Sequence, residues 1–376
     1  MVAPAPVLPE ELVVWEILVR LPAKDLLRCL AVCRSWRRLT SAADFLLAHH
    51  RRQPSLPLVS FIGRPTRRFG VVEAAVDAFD LRRSPVERRP VLRFTKHSDR
   101  YPYTVLASCD GLLLLAICGD RFHYICNPTT RQSITLSSLN FSNVLGMYPH
   151  RSSGKYRILY WKGRQFGGST RCYVISVGSS TAPRDVGSYL ASGLCFVRNC
   201  PSVLLHGCLH WLHREEGKLL VFDTVGESFR WMTAPIDDDN WEDSHLVQID
   251  GTLGISQINT RRPAMKLWLL QNYEAEVWFV KYQTEFPVAE ISSIANSSHF
   301  HGMVLSGNGD VLVYCDQNSN LFHCDSTGKL LQKSQWDDVF SWPTRQWFKE
   351  TLVQYAFFQR KDGRLPVRKP CFFQGL

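Results

Sequence analysis

SCDGLLLLAICGDRFHYICNPTTR, residues 108–131, holds two apolar runs, one on either side of a polar break, with a turn signal at each end. Asp110-Gly111 is the first signal: Asp-Gly suits a two-residue hairpin because both central residues need positive φ. CNPTTRQ, starting at Cys126, is the second. The same arrangement recurs down the chain. His206-Gly207, Asp250-Gly251 and Asn308-Gly309 also lie between apolar runs, and His-Gly is a tolerable variant of the turn. Sixteen residues separate Gly111 from Asn127, Gly207 from Asp223, and Gly309 from Asp325. The second turns, CNPTTRQ, FDTVGES and CDSTGKL, are one device in different residues.

The copy at Gly251 is stretched, with its matching turn near Gln271-Asn272. A fifth unit keeps paired strands at Tyr156–Trp161 and Cys172–Val177, and a sixth fits residues 57–95. Each unit offers about four short antiparallel strands rich in β-branched and aromatic residues. Forty-four residues run from Gly207 to Gly251 and fifty-eight from Gly251 to Gly309, the size of propeller blades. A lone four-stranded sheet cannot bury both faces, whereas blades stacked radially do. About six irregular blades fit between residues 55 and 360, with closure expected between Leu56–Ile62 and Leu352–Phe358. The irregular spacing leaves one or two packed β-sandwiches open as the alternative. Segment 73–79 is ambiguous between helix and strand.

Ahead of the repeats, residues 8–52 read as short helices. Pro9 suits a first turn, Glu10 and Glu11 follow where the dipole favours acids, and Pro22 ends the first helix. Further helices are expected after Pro22, over about Cys33–Thr40 and over about Asp44–His50. The first is apolar on too many sides. Leu8, Leu12, Trp15 and Val19 line one face, while Val13, Val14, Ile17, Leu18 and Leu21 spread over much of the rest. A unit this small cannot bury all of that surface internally. The surplus meets either the rest of the chain or a partner.

Leu8-Pro9-x-Glu11-Leu12, Ile17-Leu18-x-x-Leu21-Pro22, Leu26-Leu27-Arg28 and Val32-Cys33-Arg34-Ser35-Trp36-Arg37 together resemble an F-box. The resemblance implies docking to the acidic Skp-type adaptor of a cullin–RING ubiquitin ligase. It assigns Leu8, Pro9, Leu12, Ile17, Leu18, Leu21, Pro22, Val32 and Trp36 partly to that interface and partly to internal packing.

The repeat region is similar to the plant F-box-associated domain, on Ser108-Cys109-Asp110-Gly111-Leu112, Cys126 through Arg131, Leu145-Gly146, Lys155-Tyr156, Leu209-His210-Trp211-Leu212 and Val221-Phe222-Asp223. Lys266-Leu267-Trp268 and Trp278 through Tyr282 fit its later part. Met147-Tyr148-Pro149-His150 departs from the family's aromatic–acidic loop start. This resemblance implies a propeller-like fold that recruits a substrate.

The 376 residues are 45% hydrophobic, enough for a sizeable core. MVAPAPV lacks a basic start followed by an apolar core, so no secretory signal is read, and the run Leu112–Cys118 is far too short to span a bilayer. Twelve cysteines form no regular framework; Cys126, Cys195, Cys208 and Cys315 sit in apolar runs, as reduced thiols do in the nucleus or cytoplasm. The net charge is +10, and residues 1–100 carry 18 Lys+Arg against 10 Asp+Glu. The Arg pairs at 37–38, 51–52, 67–68, 82–83 and 88–89 are dispersed and lack a nucleic-acid signature, so a solvated basic face is preferred. Such a face also suits an acidic adaptor.

The chemistry-bearing clusters are few. His206-x-Cys208-x-His210-x-x-His213 could mimic a zinc set, but His206 belongs to the hairpin turn and His210-Trp211 to a packing motif. Cys29 and Cys33 have no second pair. Asp237-Asp238-Asp239 with Glu242 and Asp243 lacks calcium-loop spacing. No nucleophile elbow, Walker loop or zincin helix occurs, and Ser306-Gly307-Asn308-Gly309 runs into a strand rather than a helix.

The chain therefore reads as an α+β multidomain protein. A helical F-box spans 5–52, an all-β propeller-like domain of about six blades spans 55–360, and a basic tail spans 361–376. The expected function is a non-catalytic substrate receptor with no metal or cofactor. It would bind a Skp-type adaptor, cullin through it, and an unidentified target protein, with no membrane role. Asp237, Asp238, Asp239 and Trp241, an acidic loop with an aromatic anchor, are the candidate target contacts. The competing classes are a propeller enzyme or carbohydrate-binding module, and a basic nucleic-acid binder.

Overall fold

The computed structural model describes residues 8–63, 71–83, 86–97, 103–117, 121–139, 142–162, 171–187, 201–213, 217–235, 243–259, 264–286, 300–305, 309–315, 320–336, 339–359 and 372–373. Helix α1 (Glu10–Leu12) continues without a break into a π turn (Val13–Ile17) and a 3-10 turn (Leu18–Arg20). The expected single helix from Pro9 to Pro22 is thus three turn types in succession, ended by the extended backbone of Leu21 before Pro22. Helices α2 (Ala23–Cys29), α3 (Arg34–Thr40) and α4 (Ala43–Arg52) follow. Cys33 caps α3, its sulfur accepting from the Trp36 amide at 3.4 Å.

The β region begins with β1 (Leu56–Gly63), β2 (Val71–Asp80) and β3 (Glu87–His97). Next come β4 (Tyr103–Cys109), β5 (Leu112–Ile117), β6 (Phe122–Asn127) and β7 (Gln132–Thr135). Then follow β8 (Asn143–His150), β9 (Lys155–Lys162), β10 (Arg171–Ser176) and β11 (Arg184–Asp185). After these are β12 (Val203–Leu205), β13 (Cys208–His213), β14 (Lys218–Asp223) and β15 (Ser228–Thr233). The last blades hold β16 (Asp243–Ile249), β17 (Thr252–Asn259), β18 (Ala264–Asn272) and β19 (Val277–Glu285), then β20 (Phe300–Val304), β21 (Val311–Cys315), β22 (Asn320–Cys324) and β23 (Leu330–Gln335). Strand β24 (Val339–Phe348) ends the series.

Among the described residues these strands form six four-stranded antiparallel sheets, five of them in chain order and one in the order β24-β1-β2-β3. The ambiguous segment 73–79 is inside strand β2. An apolar cluster fills each gap between neighbouring sheets. Leu58 meets the side of Leu113, Ile125 that of Ile158, Leu159 that of Trp211, Leu219 that of Ile255, Leu267 that of Phe322, and Leu312 that of Phe79. Six gaps for six sheets is a closed ring, a six-bladed propeller, and not a sandwich. Trp211, fully buried, satisfies its indole N–H on the Leu145 carbonyl of the next blade at 3.1 Å.

The hairpin turns explain the repeat. Asp110, His206 and Asp250 all have φ of 50°, and Gly111, Gly207 and Gly251 follow at 79°, 75° and 78°. Gly111 is also a close approach: a Cβ there would lie 2.5 Å from the Lys349 carbonyl oxygen. 

Two expectations at the C-terminus are corrected. The ring is closed by β24, with Leu56 opposite Phe348 and Gly63 opposite Val339, and not by Leu352–Phe358. Pro343 and Arg345 disguise the closing strand as loop. They occur at a register shift opposite Pro57 and Val59, where Arg345 takes φ 59° and the missing Pro N–H is tolerated. Residues beyond 360 are not merely a basic tail either. Phe372 and Phe373 are buried, Phe372 against Phe94 and Tyr124 of the first two blades and Phe373 against Phe372, and the Phe372 carbonyl accepts from the Arg93 amide at 3.1 Å.

Candidate functional site

The helical unit has its own small core of Val14, Leu18, Val19, Ala23, Leu26, Phe45 and Leu46. Nine sequence-predicted docking residues divide around it. Leu18 is buried, and Leu21, Pro22 and Trp36 are half-buried. Pro9 is exposed, as are Leu8 (60%), Leu12 (51%), Ile17 (48%) and Val32 (64%). Single exposed apolar residues are ordinary; here five of the nine are exposed on one small unit. The π turn contributes: it closes a hydrogen bond across five residues, Leu18 N–H to Val13 O, and five is the spacing from Leu12 to Ile17. Trp15 and Leu27 are also exposed, and the motif reading had not singled them out for docking. Lys24, Arg34, Arg37 and Arg38 are exposed on the same unit, beside the exposed acids Glu10, Glu11, Glu16 and Asp44.

On the inner side the unit meets the ring. Leu47, His50 and Arg51 of α4 border a cavity of about 1050 Å³ at one end of the ring, with Asp110, Tyr156, Gln248, Asp250, Trp347 and Lys349 among its lining. The Tyr156 hydroxyl donates to the Asp110 carboxylate at 2.7 Å, and the Tyr355 hydroxyl donates to the Asp110 carbonyl at 3.0 Å. Burial raises both phenols, Tyr355 to about 12, raises the Cys109 thiol, and lowers the His50 imidazole and the Lys349 amine. These shifts favour the neutral forms of Tyr, Cys and His here, as burial does.

Three members of the metal-like set, His206, Cys208 and His210, gather about the Tyr273 side chain, and His213 lies apart. His206 occupies the hairpin, His210 donates to the Val203 carbonyl at 3.1 Å and accepts from the Tyr273 hydroxyl at 2.8 Å, and His213 packs edge-on to Trp231. No group of three or more His, Cys, Asp or Glu is placed to hold a metal among the described residues. Among them, too, no helix is long and apolar enough to cross a membrane. Asp237, Asp238, Asp239 and Trp241 lie outside the described residues.

The reading of the Arg pairs as a purely solvated face needs correction in the first blade. Asp77 and Asp80 are fully buried; Arg88 and Arg93 pair with Asp77, and Arg82 and Arg89 with Asp80. Those guanidiniums neutralise carboxylates that could not otherwise be buried.

The family described as F-box associated beta propeller domain matches residues 82–359, and the one described as F-box-like matches residues 5–51. The Arabidopsis thaliana F-box protein At5g49610 is 26% identical over 293 residues, covering 72% of this chain and 77% of its own. F-box protein At3g22700 of the same plant is 25% identical over 307 residues, covering 74% and 86%. A chain of a solved nidogen/laminin complex aligns with 79% of this chain and 100% of its own at 10% identity and a TM-score of 0.42, too distant a likeness to carry argument. The chain belongs to the F-box-associated β-propeller family, with an F-box-like helical unit ahead of its ring.

Proposed function

We propose that this chain is the substrate-recognition subunit of an SCF-type ubiquitin ligase, acting without catalytic groups or cofactor of its own. The F-box unit docks on a Skp-type adaptor and, through it, on cullin; the ring holds a target protein. The observation that carries this reading is the exposed apolar set Leu8, Leu12, Ile17 and Val32 on the unit that matches the F-box. The exposed Arg34, Arg37 and Arg38 of α3 offer charge complementary to an acidic adaptor. The contribution to ubiquitination is proximity, since two partners held on one body react as an intramolecular pair. We place the protein in the nucleus or cytoplasm, consistent with seven free cysteines among the described residues. The loop bearing Asp237, Asp238, Asp239 and Trp241 is our first candidate for target contact, on composition alone.

Burying an aliphatic side chain of this size is worth roughly 1.5–3 kcal/mol, and interface anchors lose about 2 kcal/mol or more on truncation. Leu12→Ala with Ile17→Ala, both half exposed in the isolated chain, is therefore expected to abolish capture of the adaptor and leave the ring's thermal melt unchanged. Undiminished capture by this double variant refutes the docking assignment.

A further inference from the structure

Helix α4 ends at Arg52 and β1 begins at Leu56, whose partner is Phe348 at the end of β24. Ring closure therefore delivers residue 349 to the side of α4. The five residues that follow are a strap with two faces. Toward the helices, Lys349 Nζ donates to the Arg51 carbonyl at 2.8 Å, and the Glu350 carbonyl accepts from His50 Nδ1 at 2.9 Å. The Glu350 carboxylate accepts the Ala23 amide at 2.9 Å, and Leu352, 8% exposed, joins the core of the helical unit. Toward the ring, the Thr351 carbonyl accepts from Asn127 Nδ2 at 3.1 Å, and its amide donates to Thr129 Oγ1 at 3.2 Å.

The Ala23 contact fills a defined need. The first amides of a helix have no intrahelical acceptor, and Pro22, which precedes α2, offers no side-chain cap. Glu350, 327 residues away in sequence, supplies the missing acceptor and places negative charge at the helix N-terminus. Leu352 supplies apolar surface that a unit of about forty-five residues lacks.

We infer that the strap is a missing wall of the helical unit, so that the exposed apolar face on that unit is assembled only in a chain whose ring has closed. The linkage makes the helices a reporter of ring integrity: a chain with an open or misfolded ring does not present a finished docking face. It stands on contacts within this chain and does not depend on the identity of the adaptor.

Hydrogen exchange on the full chain tests it, because exchange reads the helices directly. In Leu352→Ala, the amides of α2 and of Val13–Arg20 are expected to exchange roughly tenfold faster or more than in the parent chain. Amides of β13, on a different blade, are expected to change by less than about twofold. Glu350→Ala opens no cavity in the helical core and removes the α2 cap; faster exchange at α2 with β13 unchanged is expected again. Parent-like exchange of α2 in both variants overturns the inference, since the helices would then be an independent unit tethered to the ring.

Discussion

His210 lies fully buried on β13 with both ring nitrogens occupied, one by the Val203 carbonyl and one by the Tyr273 hydroxyl. Burial lowers its pKa from 6.5 to about 4, so the folded chain holds it neutral well below the point at which the unfolded chain protonates it. Between those two values the unfolded state binds more protons, and stability must fall as pH falls. One such group contributes a slope of up to about 1.4 kcal/mol per pH unit. His49, His50 and His323 are lowered by burial too, so the chain should lose stability by several such steps on the acid side. His210→Gln removes one step: the parent's advantage in melting temperature at pH 7 should shrink steadily toward pH 4. Parallel melting-temperature curves for the two chains would contradict the assignment. The turn position of His206 was readable from its His-Gly lying at the repeat spacing from Asp223, whereas the His301-Gly302 dipeptide lies inside β20. The Tyr273 partner was not readable, since it lies 63 positions along the chain and nothing at either position announces the other.

The same divide between local and distant causes runs through the elements. The hairpins at Asp110-Gly111, His206-Gly207 and Asp250-Gly251 were legible from a turn dipeptide set between apolar runs, and both residues of each take positive φ. Strand β24 was not, since a proline and a left-handed arginine, which read as loop, are accommodated by a bulge against β1. Within the helical unit, the sequence marked nine docking residues but could not sort them, because a core leucine and an interface leucine look alike until burial separates Leu18 from Leu12. The end of the chain was misread for a related reason: Phe372 and Phe373 sit in a basic, proline-containing stretch, yet Phe372 packs against Phe94 and Tyr124 of the first two blades and Phe373 against Phe372. Truncating a buried phenylalanine typically costs about 3–5 kcal/mol. Phe372→Ala is accordingly expected to lower the melting temperature of the ring clearly, and a chain ending at residue 364 should behave likewise. A parent-like melt for either would show that these two aromatics add no stability.

At the scale of the whole molecule, the two bodies depend on each other unequally. The ring buries its apolar surface in six inter-blade clusters, and its closing pair β24–β1 uses no helical residue. The helical unit, by contrast, borrows Leu352 and a cap from Glu350, both delivered by that closing pair. A chain starting at residue 54 should therefore unfold in one cooperative transition close to the parent's ring transition. A chain ending at residue 338 loses β24, leaves β1 as an unpaired edge and strips the contacts of Trp342 and Trp347 from the neighbouring clusters. It should aggregate or melt without a cooperative transition, and its helices should fail with its ring. Denaturant unfolding followed by far-ultraviolet and tryptophan signals separates the cases. Cooperative unfolding of the chain ending at 338 would mean that the blades are stable without closure.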